Sequence, residues 1–197
     1  MQSVQAIFRF VVLAAMLFCF VRSDSHASRL SFPTLAPKTY QSLSGEYLLS
    51  VKPGNPNGSG KANYRVTKGG VEIWAGEKPI TLWDARLSDK GEVAGYAYSS
   101  GLYGFARENE KNDFIVLILD SLGNPRLQQA VPRKFGRHED APDNPNASGI
   151  VLDTTNDRFI VRVADPNWNR GIETWWVYRL STGEKIKELE PQTKMVD

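Results

Sequence analysis

The sequence predicts an all-β domain built from antiparallel meanders, and three observations indicate this class. Its apolar runs are short, rich in Val, Ile, Tyr, Phe and Trp, and separated by Gly, Asn or Asp. No segment after residue 27 keeps the apolar i, i+3, i+4, i+7 spacing of an amphipathic helix over 12 residues. With 197 residues, of which 41% are hydrophobic and 23% charged, the chain has the composition of about one globular domain.

One pattern of strands and turns recurs three times along the chain. In each copy a turn precedes an apolar strand, a polar loop leads to a second strand, and a glycine-containing turn leads to a third. We predict these strands at 47–51, 62–66 and 71–75, at 93–98, 114–119 and 126–131, and at 159–163, 174–180 and 184–189. Leading strands at 83–87 and 149–152 precede the second and third copies. Gly70, Gly123 and Gly183 lie where a tight hairpin favours a positive φ.

The spacing of the copies is typical of stacked four-stranded units. Gly45 and Gly91, which precede the first strands of the first two copies, are 46 residues apart (91 − 45). Propeller blades repeat every 40–50 residues or so. Later copies are farther apart because long loops at 99–112 and 132–147 interrupt them. A single meander cannot bury both of its faces, so neighbouring units must stack.

The segment 87–94, LSDKGEVA, resembles the turn and apolar strand of WD40-like bacterial β-propeller repeats. Degenerate versions occur at 43–48 and 153–159, and the resemblance extends over roughly residues 43–190. It implies three blade-like repeats in a partial β-propeller-like arrangement; a β-sandwich built from similar meanders is the alternative. It also implies a scaffold for binding rather than one particular activity.

The N-terminus has the pattern of an export signal. Residues 10–21 form an apolar run of 12 that is too short to span a bilayer comfortably, and Arg9 precedes it. Small residues at the −3 and −1 positions, Ser25 and Ala27, predict cleavage after Ala27. We therefore expect a secreted or periplasmic protein with no membrane association after cleavage; an uncleaved N-terminal membrane anchor is the alternative.

These patterns divide the chain into four parts. We expect a signal peptide at 1–27, a polar lead-in at 28–42, a single β-repeat domain at 43–191 and a C-terminal tail at 192–197.

Composition excludes several chemistries. A formal net charge of +2 is too small to favour a nucleic-acid partner. The only cysteine, Cys19, lies in the apolar N-terminal run, so the exported chain has no thiol nucleophile and no cysteine ligand for zinc or iron–sulfur clusters. No nucleophile elbow or phosphate-binding loop is present. We therefore expect no cofactor and favour a non-enzymatic protein.

The candidate binding residues lie in predicted loops. Aromatic side chains on loops are available for contact with a partner, and a His or Arg beside them adds a polar contact. The candidates are Tyr103, Phe105, His138, Trp168 and Arg170. A calcium candidate is the alternating oxygen-ligand pattern Asp165, Asn167 and Asn169, although its glycine falls one position later than in an EF-hand loop. No other metal site is expected.

These observations favour an exported protein that binds an unidentified protein or carbohydrate through its long loops. Two alternatives stay open: a structural subunit of an oligomer, and a secreted hydrolase that uses two loop carboxylates across a groove. The carboxylates considered for hydrolysis are Asp140, Asp143, Asp153, Asp165 and Glu173. Arg162 and Arg179, inside apolar strands, should each pair with a carboxylate such as Glu173 or Asp165.

Overall fold

Twelve β-strands form three four-stranded antiparallel sheets in the computed structural model, which describes residues 34–101, 112–133, 145–164 and 173–189. Sheet 1 contains β1 (Lys38–Gln41), β2 (Tyr47–Pro53), β3 (Ala62–Lys68) and β4 (Val71–Lys78). Sheet 2 contains β5 (Asp84–Leu87), β6 (Val93–Tyr98), β7 (Phe114–Leu119) and β8 (Pro125–Val131). Sheet 3 contains β9 (Asn146–Asp153), β10 (Arg158–Ala164), β11 (Glu173–Arg179) and β12 (Lys185–Leu189).

The strand order in each sheet follows the chain, so every sheet is a simple meander. This confirms the predicted class: an all-β fold of three blade-like repeats. The three described sheets stack as an open, propeller-like array rather than as the two layers of a β-sandwich.

The first sheet begins earlier than the sequence indicated. Lys38–Gln41, within the segment expected to be a polar lead-in, pairs antiparallel with β2 as a fourth strand. This strand has no apolar run because it is an edge strand whose side chains are mostly exposed. Its one aromatic residue, Tyr40, packs against the core between sheets 1 and 2. All three sheets therefore have a leading strand.

Sheet 2 is buried on both faces, and this explains its most apolar strand. All six residues of β7, FIVLIL, are buried. Ile115, Leu117 and Leu119 join the core shared with sheet 1, whereas Val116 and Ile118 join the core shared with sheet 3. The central strands β2 and β3 of sheet 1 instead alternate between buried and more exposed residues, because the core with sheet 2 covers one face of that sheet.

The first turn of each sheet has one residue in the left-handed region. Gly45 and Gly91 have φ values of 77° and 83°, and Asp157 takes the matching place in sheet 3 with φ 55°. Asp157 is the only non-glycine residue with positive φ among those that the structure describes. Its carboxylate accepts hydrogen bonds from the Ser181 backbone N–H (2.8 Å) and hydroxyl (2.5 Å), which connects the two turns of sheet 3.

The glycine of each later hairpin turn packs against the preceding sheet. A Cβ on Gly123 would lie 2.8 Å from the Trp74 ring on β4, and one on Gly183 would lie 2.7 Å from the Arg126 carbonyl oxygen on β8. The predicted positive φ is confirmed at both residues, with values of 82° and 79°, and at Gly70, with 84°. Here glycine is required for close approach of two sheets as well as for the turn.

A charged pair reinforces the contact between sheets 2 and 3. Arg126 Nη1 donates to the buried Glu92 carboxylate (2.5 Å) and to the Leu180 carbonyl oxygen (3.1 Å). Ser88 also donates its hydroxyl to Glu92, at 3.1 Å. Because both oxygens of the carboxylate accept hydrogen bonds, these bonds offset the free-energy cost of burying its charge.

Replacing Gly123 by Ala should destabilise the protein more than replacing Gly70 by Ala. Both substitutions put a Cβ on a left-handed residue, which costs about 1 kcal/mol or slightly more. Only the Cβ at position 123 meets another sheet, since no atom lies within 4 Å of the Cβ position at Gly70. We expect an additional loss of roughly 1–3 kcal/mol at position 123, measured by urea unfolding. Equal losses would contradict the inter-sheet role of this turn.

Candidate binding surface

Connections between strands leave the sheets at two edges with different properties. The turn edge carries the connections between first and second strands and between third and fourth strands: 42–46, 69–70, 88–92, 120–124, 154–157 and 180–184. The loop edge carries the remaining connections: 54–61, 79–83, 99–113, 132–145 and 165–172. The long connections therefore all begin and end at one edge, as follows from counting antiparallel strands.

Contacts between sheets show that their loop edges adjoin. A Cβ on Gly101, which follows β6, would lie 2.3 Å from the Asn57 carbonyl oxygen, in the connection between β2 and β3. At the boundary with sheet 3, Tyr98 donates its hydroxyl to Asn146 Oδ1 (2.5 Å) and accepts the Ala147 N–H (3.1 Å). At described residues, the loop edges of neighbouring sheets are thus in contact at both junctions.

An aromatic cluster lies beneath this edge, between sheets 2 and 3. Ring centroids are 4.7 Å apart for Trp83 and Tyr98, 5.8 Å for Tyr96 and Tyr98, and 5.4 Å for Tyr98 and Phe114. Trp176 of sheet 3 continues the cluster at 5.7 Å from Phe114. Edge-to-face and tilted ring pairs of this kind stabilise the strand ends at this edge.

The cluster keeps its phenols neutral. Burial, followed by the nearby Tyr98 and the Asp84 carboxylate, raises the pKa of Tyr96 to about 12. Burial also raises the pKa of Tyr98. The Arg133 guanidinium lies 4.9 Å from the centre of the Tyr98 ring, and burial lowers the pKa of Arg133. Neutral rings beneath a cation favour packing and cation–π contact rather than acid–base chemistry.

The sequence-predicted binding residues belong to connections of the loop edge. The segments 99–113, 132–145 and 165–172 are each bounded by strand ends at that edge. The residues themselves lie outside the described part of the chain: Tyr103, Phe105, His138, Trp168 and Arg170, together with the calcium candidates Asp165, Asn167 and Asn169. Within the four described ranges, no cluster of three or more His, Cys, Asp or Glu side chains could hold a metal ion.

The two described carboxylates considered for hydrolysis do not form a pair. Asp153 lies at the turn edge, where it accepts hydrogen bonds from Asn156 (3.1 Å to the backbone N–H, 2.8 Å to the amide). Glu173 begins β11 at the loop edge, where it binds Arg162 and Ser148. The other three, Asp140, Asp143 and Asp165, lie outside the described residues.

The expected pairing of strand arginines is confirmed. Arg162 donates to both oxygens of Glu173, at 2.9 and 3.1 Å, and Arg179 lies 3.8 Å from the carboxylate of Glu184. The Arg162 guanidinium and the Ser148 hydroxyl lower the pKa of Glu173.

Sequence reasoning missed a groove between the leading strands of the three sheets. It has a volume of about 270 Å³, and its walls include Gln41, Leu43, Arg86, Asp89 and Val151. The charged side chains in its walls make hydrogen bonds within the protein. Asp89 accepts the Ser44 N–H at 2.7 Å, and Arg86 Nη1 donates to Asp84 at 3.0 Å. No sequence signal marks this groove, because its walls come from three distant segments and β1 has no strand pattern.

The chain is similar to a known protein in fold but matches no sequence family. No protein-family model and no curated protein matches the chain. Among solved structures, the β-propeller domain of the Trilobed protease from Pyrococcus furiosus is similar over 82% of this chain, with 12% identity and a TM-score of 0.47. The match spans 44% of that chain, so this chain corresponds to less than half of its length.

Helices that could span a membrane are absent from the part of the chain covered by the structure, whose regular elements are strands.

Glu173 should make the stability of the folded protein decrease in acid. Because its folded pKa lies below the unfolded value, its contribution is complete above about pH 4.5 and is lost as pH falls through the folded pKa. We expect the melting temperature of wild type to fall more than that of Glu173→Gln between about pH 6 and pH 3. Arg162→Gln should also flatten this dependence, because it removes the main cause of the shift. Parallel pH curves for all three proteins would contradict this assignment.

Proposed function

We propose that this protein is exported and binds a protein partner at its loop edge, without catalysing a reaction. The observation that supports this most directly is the asymmetry of the edges. Every connection longer than five residues begins and ends at one edge of the three sheets, and the strand ends at that edge carry a packed aromatic cluster. Rigid β scaffolds commonly carry function on such loops.

The composition of these connections favours a protein surface as the ligand. Tyr, Trp, Phe and Arg are enriched at the centres of protein interfaces. Three of the four longest connections are rich in them: Tyr103, Phe105, Arg133, Phe135, Arg137, Trp168 and Arg170.

The hydrogen bonds made by the described charged side chains support binding without catalysis. Asp153, Glu173 and Arg86 are each held by hydrogen bonds within their own sheet. Glycoside hydrolysis needs two carboxyls roughly 5–10 Å apart across a groove, whereas Asp153 and Glu173 lie at opposite edges of sheet 3.

Loop-edge variants should lose the partner, and turn-edge variants should keep it. We would immobilise wild type, Phe105→Ala, Trp168→Ala and the controls Leu43→Ser and Leu122→Ser, and quantify by mass spectrometry the envelope and secreted proteins that each retains. Leu43 and Leu122 are exposed leucines in the turn edge, so the controls remove exposed apolar side chains from the opposite edge. We expect one protein to be retained by wild type and both controls, and reduced about tenfold or more by the loop variants.

Three outcomes would contradict this function: loss of the retained protein in the turn-edge controls alone, retention of it by all variants, or retention of no protein. A glycan array probed with the same set would identify carbohydrate as the ligand instead, if Trp168→Ala loses a glycan that both controls bind. Thermal unfolding of each variant separates lost binding from lost folding.

Export predicts a defined new N-terminus. In the producing cell, the mature protein should begin at Ser28, because Ser25 and Ala27 supply the small residues of the cleavage site. Ala27→Arg should block processing, whereas the matched variant Ala27→Gly should keep it. Intact mass and N-terminal sequencing of the exported fraction provide the measurement. A full-length chain held in the membrane fraction would favour the anchored alternative, and one in the cytosol would contradict export.

A further inference from the structure

The groove between the leading strands β1, β5 and β9 opens at the turn edge of the sheets. Each leading strand pairs with the second strand of its own sheet, and within the described residues no backbone hydrogen bond joins one leading strand to another. Successive residues line two of the walls, 86–89 at the end of β5 and 150–152 in β9. Because successive side chains of a strand point to opposite faces, these walls are the free edges of the two strands.

Two exposed apolar residues from distant segments line this groove. Leu43, in the first turn of sheet 1, is 93% exposed, and Val151 of β9 is 44% exposed. Leu87 and Ile150 line it as buried residues, and Leu152 is half-buried. A concave site with mostly apolar walls and a few polar groups is typical of small-molecule binding.

Arg86 brings a positive charge to the groove and has unused donors. Its Nη1 donates to Asp84 Oδ1 at 3.0 Å and to the Ala85 carbonyl oxygen at 2.8 Å. Within the described residues, Nε and Nη2 donate no hydrogen bond, and the side chain is 44% exposed. The Nε and Nη2 side of a guanidinium carries two parallel N–H donors, which match the two oxygens of a carboxylate.

Asp89 is the carboxylate among the described residues that line the groove, and sheet 1 already stabilises its charge. Its Oδ1 accepts the Ser44 N–H at 2.7 Å, and this bond, followed by one from the Ser44 hydroxyl, lowers the pKa of Asp89. Arg86 still has an open side, whereas Asp89 is hydrogen-bonded to the protein. A ligand with an anionic group therefore fits the groove better than one with a cationic group.

We propose that this groove binds a small apolar carboxylate, whose carboxyl group accepts hydrogen bonds from Nε and Nη2 of Arg86 and whose apolar part covers Leu43 and Val151. The groove volume of about 270 Å³ equals that of about nine water molecules in the liquid, so a ligand of roughly ten non-hydrogen atoms fills it. For one ionic contact and a ligand of this size, we expect a dissociation constant on the order of 0.1–1 mM.

Phenylacetate matches this size and is the probe, and 2-phenylethanol is its control without a carboxylate. Titration of the folded protein, followed by amide NMR shifts, measures the affinity and locates the site. Phenylacetate should shift signals of residues 43, 86–89 and 150–152. 2-Phenylethanol should bind about tenfold more weakly or worse, because it cannot accept two hydrogen bonds from a guanidinium.

Arg86→Gln should weaken phenylacetate binding about tenfold or more, because it removes both the charge and the paired donors. Arg86→Lys keeps the charge without the paired donors and should give an intermediate affinity. The matched control is Arg65→Gln, which should leave the affinity unchanged. Arg65 is also an exposed arginine paired with one carboxylate, that of Glu72 at 2.9 Å, but it does not line the groove.

Five results would overturn this site: no binding of phenylacetate at up to about 10 mM, equal affinities for phenylacetate and 2-phenylethanol, signal shifts centred outside the groove, an unchanged affinity in Arg86→Gln, or an equal loss in Arg65→Gln. Melting temperatures of the variants distinguish lost binding from unfolding. Leu43→Ser should weaken phenylacetate binding and still retain the partner of the loop edge, so the two proposals can fail separately.

Discussion

Burial of the middle sheet on both of its faces is the constraint on which the architecture depends. A strand such as β7, with six consecutive buried residues, cannot face water on either side. It therefore requires a sheet above it and another below it, and the flanking meanders supply them. Sheet 2 holds sheets 1 and 3 in one stack, because each of the two core clusters includes one of its faces.

The hairpin turns keep the stacked sheets close together. Gly123 and Gly183 allow the turn of one sheet to press against the last strand of the sheet before it. The same contact recurs at both junctions although the residues met differ, a tryptophan ring in one case and a backbone carbonyl in the other. The repeat thus preserves the position of a glycine while the group that it meets varies.

Most of the fold could be predicted from the sequence, because apolar runs and turn residues are local signals. The three strand groups and the positive φ of Gly70, Gly123 and Gly183 follow from them. The leading strand β1 could not be predicted, because an edge strand with exposed side chains has no apolar pattern. The positive φ of Asp157 could not be predicted either, because this conformation depends on hydrogen bonds to Ser181, 24 residues away in sequence.

Sites formed by distant segments cannot be predicted from local sequence patterns in the way that strands can. The groove between the leading strands requires Gln41, Arg86 and Val151 to meet, and no local pattern encodes that meeting. The loop edge is simpler, because antiparallel counting alone sends every second connection to the same side. In this chain the four longest connections, 54–61, 99–113, 132–145 and 165–172, all belong to the set that begins and ends at the loop edge. Those connections can change chemistry without disturbing the buried middle sheet, and for this reason we assign recognition to them and stability to the strands.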